Sequence, residues 1–131
     1  MAAKWVSPEP DSALAQALLD EALIVPDLLF AEVGNILWKK QTRGELSTDA
    51  AQLGVRWLLQ VPLQVHDSAS LLVDGLALAL RLGHPAYDCL YLALARQTGA
   101  ALVTADRRLH ARCHAADAAE LAPLVRLLDA R

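Results

Sequence analysis

Apolar residues along the chain alternate between helical and extended spacing. Leu29, Val33, Ile36 and Leu37 recur at helical spacing, which is typical of a helix with one buried face. Short apolar runs such as residues 23–25 separate the helical stretches and favour strands. The pattern predicts helices over residues 11–22, 26–44, 48–59, 68–82, 85–99 and 106–111, and strands over residues 23–25, 63–65 and 101–103. Residues 124–128 fit either an edge strand or the end of a helix.

Strands separated by helices favour a parallel sheet that is covered by helices on both faces. We therefore expect an α/β protein in which helices dominate and the sheet is small. The chain has 131 residues, a length typical of one domain. We accordingly expect a single domain over residues 1–131.

Composition narrows the class of protein. A hydrophobic content of 55% excludes intrinsic disorder, and it predicts an apolar face for a partner or a second copy of the chain. The net charge of −3 argues against a passive nucleic-acid coat, although it leaves an RNA-cleaving enzyme open. Charged residues interrupt the richest apolar stretches, so we expect no membrane span. The start lacks an apolar signal core, which predicts a cytoplasmic protein.

Two aspartates stand where a sheet protein commonly gathers its chemistry. Asp106 closely follows the predicted strand at residues 101–103, and Asp88 lies in the first turn of the helix after Pro85. Both lie at helix starts, where the helix dipole favours a negative charge. Ionised carboxylates are suitable ligands for a hard cation such as Mg²⁺. Taken singly, each aspartate is more often a simple helix cap.

A third carboxylate, Glu32, lies inside the helix predicted over residues 26–44. Asn35 and Lys39 follow it at three and seven residues, so the three share one helix face. Taken alone, Glu32 is more often a solvated helix residue, and Lys39 part of a solvated last turn.

Three strings around these residues resemble the signatures of PIN-domain nucleases, and of VapC-type toxins of VapBC toxin–antitoxin modules in particular. The first is residues 25–40 (VPDLLFAEVGNILWKK), the second residues 86–95 (AYDCLYLALA), and the third residues 102–109 (LVTADRRL). Their order and spacing also match, and the resemblance covers nearly the whole chain.

The resemblance implies a three-layer α/β/α sandwich that holds Mg²⁺ or Mn²⁺ in an acidic cluster and cleaves RNA. It implies a VapB-type antitoxin as partner and a homodimer. Glu32, Asp88 and Asp106 would then be the catalytic and metal-binding carboxylates. Supporting residues would be Thr104 at the strand end and Asn35 beside Glu32, and RNA contacts would come from Lys39, Arg107 and Arg108.

The start of the chain departs from the family pattern. VapC-type chains open with an apolar strand that ends in an Asp, whereas residues 1–10 match only the family's segment after that Asp. We expect that about 8–12 residues carrying this strand precede Met1 in the native protein, since a central strand pairs on both sides. The alternative is a natural short form, a catalytically impaired PIN-like module that binds an antitoxin or dimerises without cutting RNA.

Other chemistry-bearing residues suggest weaker interpretations. His110, Cys113 and His114 have a loose spacing for zinc, and a fourth ligand would have to come from elsewhere. We expect His66 and His84 to be turn or surface residues. Trp5, Trp38 and Trp57 are expected in a core or a dimer interface.

Overall fold

The computed structural model describes residues 23–128 of the chain. It divides into two compact units, Met1–Val65 and His66–Arg131, and each unit is treated by itself. Residues 1–22 lie outside the described part of the chain. They include the helix predicted over residues 11–22, Trp5, and residues 1–10, where the sequence departs from the family pattern.

The described part of the first unit is built on short strands and two helices. Its elements are β1 (Leu23–Pro26), α1 (Leu28–Thr42) and α2 (Thr48–Gln60), followed by β2 (Leu63–His66), which pairs with β1. Ser47 starts α2 because its side chain accepts a hydrogen bond from the backbone N–H of Ala50 at 3.0 Å.

The buried residues of this unit follow the predicted helical stripe. Leu29, Val33 and Leu37 of α1 are each at most 2% exposed, and Leu58 of α2 is buried as well. The four-residue apolar spacing therefore marks the core face of α1. Pro26 fits the first turn of this helix by its sequence, but it is the last residue of β1, and Asp27 is the N-cap.

The second unit begins with two helices joined by a tight turn. After a 3₁₀ turn at Ala69–Leu71 come α3 (Leu72–Leu82) and α4 (Ala86–Thr98). Gly83 ends α3 in a left-handed conformation at φ 63°, which residues other than glycine adopt at a cost. A methyl group placed on Gly75 would lie 2.5 Å from Leu90 Cδ2, so α3 and α4 pack very closely there.

The second unit ends in a small parallel sheet. Its elements are β3 (Leu102–Thr104), α5 (Arg107–Cys113), a 3₁₀ segment (Ala116–Leu124) and β4 (Val125–Leu127). β3 pairs with β4 in parallel, with Leu102 opposite Val125. The ambiguous tail is thus a strand, and the sequence pattern does not predict the 3₁₀ segment before it.

The predicted α/β class with abundant helix and a small parallel sheet is confirmed. The described strands form two two-stranded sheets, β1–β2 and β3–β4. Within residues 23–128, no helix has the length and apolar character needed to cross a membrane.

Candidate metal centre

Asp106 is held at the junction of β3 and α5 by its neighbours. Its backbone N–H donates to Thr104 Oγ1 at 3.0 Å. Its carboxylate Oδ1 accepts from the backbone N–H groups of Arg108 at 2.9 Å and Leu109 at 3.1 Å. One carboxylate oxygen, Oδ1, therefore caps α5. The other, Oδ2, lies 3.6 Å from the Nε2 atom of His84.

Asp88 lies in the first turn of α4, three residues after the N-cap Pro85. A helix start carries a partial positive charge, which attracts a negatively charged side chain. Behind it, Cys89 is fully buried, and burial together with the charge of Asp88 raises the pKa of the Cys89 thiol to about 11. The thiol is thus protonated and unreactive at neutral pH.

His84 brings the two aspartates together. Its Nε2 lies 2.7 Å from Asp88 Oδ2 and 3.6 Å from Asp106 Oδ2. The His84 side chain is only 8% exposed, whereas those of Asp88 and Asp106 are 38% and 37% exposed. Ligand atoms of the three residues all lie within 4.8 Å of one another, which makes them a compact donor set.

The structure confirms that His84 lies in a turn but corrects the expectation that such a residue has no specific role. It does lie in a turn, between α3 and α4, but its ring is buried against two carboxylates and is not a surface group. The available signal was that His84 lies four residues before Asp88, in the turn that leads into α4.

The remaining predicted site residues are distributed over both units. Glu32, half-buried, and the exposed Asn35 and Lys39 belong to α1 of the first unit, and their part in the site stays a prediction. Thr104 is buried and holds the backbone of Asp106. Arg107 and Arg108 are exposed at the start of α5, directly after Asp106.

Among the described residues, the three zinc candidates do not form a donor cluster. Cys113 is fully buried. The His110 and His114 rings stack with their centres 3.9 Å apart, and His114 Nδ1 lies 2.8 Å from the His110 carbonyl oxygen. The structure therefore gives no support to a zinc site at this position.

The two carboxylates of Asp88 and Asp106, which converge beside His84, suit a divalent cation. Two carboxylates so close together repel each other, and a positive ion would relieve that repulsion. Carboxylate oxygen donors favour Mg²⁺ and Mn²⁺. At Asp88, Oδ1 has no hydrogen-bond partner within residues 23–128, so it is available to an ion.

Comparisons with known proteins agree with this picture. Residues 2–115 match the family model described as the PIN domain. The chain is also 42% identical over 106 residues to a protein of Pyrobaculum aerophilum called Ribonuclease VapC3, an alignment that covers 78% of this chain and 81% of the relative.

Proposed function

Because the chain belongs to the PIN-domain family and is of the VapC type, we propose that it is a Mg²⁺- or Mn²⁺-dependent endoribonuclease. In this proposal it is the toxin of a type II toxin–antitoxin system, and residues 1–131 act as one PIN-like domain. The observation that carries the proposal is the convergence of Asp88 and Asp106 beside His84, at the starts of α4 and α5. A relative that is named a ribonuclease supports it.

The proposed roles follow from the chemistry of each group. Asp88 and Asp106 would hold the ion, with Glu32 as a third carboxylate oriented by Asn35. A bound divalent ion activates water and stabilises negative charge on a phosphate. Thr104 fixes the position of Asp106 through its hydrogen bond to the backbone.

The exposed cations would contact the RNA backbone. Arg107 and Arg108 extend from the start of α5 beside Asp106, and Lys39 is exposed in the last turn of α1. Phosphate contacts of this kind give affinity without sequence selectivity. The overall charge of −3 means that a few local cations must supply this attraction.

The proposed partners are RNA, a VapB-type antitoxin and a second copy of the chain, all in the cytoplasm. The second copy is supported by an apolar stripe on α3. Leu72, Val73, Leu76 and Leu80 recur at helical spacing there, and each is at least 49% exposed. Exposed apolar side chains arranged in this way mark interaction surfaces more often than isolated ones do.

The test is RNA cleavage by the purified 131-residue chain with Mg²⁺, with Mn²⁺ and with excess EDTA. We expect cleavage with either ion and none with EDTA. Asp88→Asn and Asp106→Asn should each lower the rate by at least 100-fold, since each removes a charged ligand. Glu32→Gln tests the third carboxylate in the same assay.

Cleavage that survives Asp106→Asn unchanged would show a contaminating nuclease or a wrong site. A folded wild-type chain that binds Mn²⁺ but never cuts RNA would contradict the proposed ribonuclease activity. It would instead favour the non-catalytic module that only binds a partner.

A further inference from the structure

The backbone on both sides of His84 fixes where its ring can lie. Gly83 closes α3 in the left-handed region, and the N–H groups of Gly83 and His84 both donate to the carbonyl oxygen of Ala79, at 2.9 and 3.2 Å. Pro85 then locks its own φ and starts α4. Since both flanking residues are constrained, the ring is presented to Asp88 by local geometry.

The short contact between His84 and Asp88 determines which ring nitrogen carries a proton. A carboxylate oxygen only accepts, so a 2.7 Å contact to Asp88 Oδ2 is a hydrogen bond when Nε2 is the donor. The contact of 3.6 Å to Asp106 Oδ2 is too long for a hydrogen bond. His84 is therefore hydrogen-bonded to Asp88 and lies near Asp106 without a hydrogen bond to it.

This hydrogen bond uses Oδ2 of Asp88 and leaves Oδ1 available to an ion. With Oδ2 occupied by Nε2–H, the carboxylate cannot rotate freely, and Oδ1 stays available. Asp106 shows the same division, since its Oδ1 caps α5 and its Oδ2 faces the cluster. In each carboxylate, one oxygen is thus tied to the protein; the other oxygen of Asp106 faces His84, and Oδ1 of Asp88 has no hydrogen-bond partner within residues 23–128.

We propose that His84 is a positioning residue of the metal centre, which donates Nε2–H to Asp88 and does not itself bind the ion. The inference rests on the proposed metal-dependent function and adds a residue to it. Hydrogen-bond partners of metal-binding carboxylates typically contribute about 10–100-fold to metal affinity. An imidazole that bound the ion through Nε2 would instead lose this N–H and, with it, the hydrogen bond to Asp88.

The test measures Mn²⁺ binding to the full 131-residue chain by electron paramagnetic resonance titration, without any RNA. Three groups of proteins are compared: wild type, two His84 variants, and the ligand variants Asp88→Asn and Asp106→Asn. His84→Ala removes the donor, and His84→Gln keeps an N–H at a similar reach. We expect a 10–100-fold weaker Mn²⁺ affinity for His84→Ala and less than a fivefold loss for His84→Gln.

A second readout needs no variant. Pulsed electron paramagnetic resonance of Mn²⁺ bound to the wild-type chain detects a directly coordinated nitrogen. We expect none, and a coordinated imidazole signal would overturn the positioning role. The same measurement remains decisive if His84→Ala fails to fold.

The ligand variants separate this inference from the proposed function. If Asp88→Asn and Asp106→Asn lose Mn²⁺ while His84→Ala binds it like wild type, only the role of His84 is refuted. An equal loss in His84→Gln and His84→Ala would also refute it, because the retained N–H should rescue. If the aspartate variants bind Mn²⁺ normally, the metal centre itself is wrong.

Discussion

Asp106 caps α5 and, in the proposed function, also binds the ion, and two substitutions separate these roles. Its Oδ1 accepts the N–H groups of Arg108 and Leu109 at the start of α5, and its Oδ2 faces His84. Asparagine retains an oxygen that can cap the helix, whereas alanine has none. Both substitutions remove the negative charge that an ion needs.

The expected magnitudes follow from those contacts. Loss of an N-cap side chain costs about 1 kcal/mol, so Asp106→Ala should lower the midpoint of thermal unfolding by about 4 °C in a chain of this size. Asp106→Asn should be nearly neutral without metal. It loses a favourable charge at a helix start, but it also removes the repulsion from Asp88.

Thermal unfolding followed by circular dichroism, in EDTA and in Mn²⁺, measures both functions at once. A ligand at 100 times its Kd stabilises the folded state by about 2.7 kcal/mol. Wild type should gain stability of this order, and both variants should lose most of the gain. Equal stability of the two variants in EDTA would refute the capping role of Asp106. Full stabilisation of Asp106→Asn by Mn²⁺ would refute its role as a ligand of the ion.

Three further predictions concern packing, assembly and pH. Gly75→Ala should destabilise the chain by about 1–3 kcal/mol in urea unfolding, because the added methyl meets Leu90 at 2.5 Å. Its control, Gly34→Ala in α1, meets no described atom within 4 Å and should stabilise by about 0.5–1 kcal/mol. Val73→Glu on the α3 stripe, where Val73 is 82% exposed, should shift sedimentation from dimer to monomer; a wild-type monomer would contradict the proposed dimer. Burial raises the pKa of the Cys113 thiol above its ordinary 9.0. As the pH rises, the unfolded chain therefore loses the thiol proton at a lower pH than the folded chain does. Stability should therefore fall as pH rises above about 9, by less in Cys113→Ala than in wild type, as urea midpoints at pH 8 and 10 would show.

Elements with a strong local signal were predictable from the sequence. Ser47 caps α2, and Gly83 and Gly99 end α3 and α4 with φ of 63° and 72°. These features depend on a few neighbouring residues, so the sequence contains all the information that they need. The strand β3 was predicted within one residue for the same reason.

Elements whose conformation depends on packing were predicted less well. Pro26 fits a helix start and a strand end equally, and its pairing partner β2 decides in favour of the strand. The 3₁₀ segment Ala116–Leu124 has a weak helical pattern and contains Pro123, and it leads directly into β4. The tail became a strand because β3 offered it a parallel edge.

The candidate site shows the same division between local and distant information. Asp88 and Asp106 could be named because each lies at a helix start inside a short recognisable string. His84 could not be given its role, because the α3–α4 turn and the end of β3 meet only in the folded second unit. The sequence shows its spacing from Asp88 but not the presence of Asp106.

In the proposed metal centre, the contacts of the three residues organise the ligands before an ion arrives. The cap of α5 orients Asp106, the buried ring of His84 orients Asp88, and Thr104 fixes the strand end. Each restraint comes from a group that an ion does not need to displace. Holding two carboxylates together costs free energy in the absence of metal. That cost is incurred during folding, so an ion that enters the cluster gains from the relief of repulsion and has little rearrangement to drive.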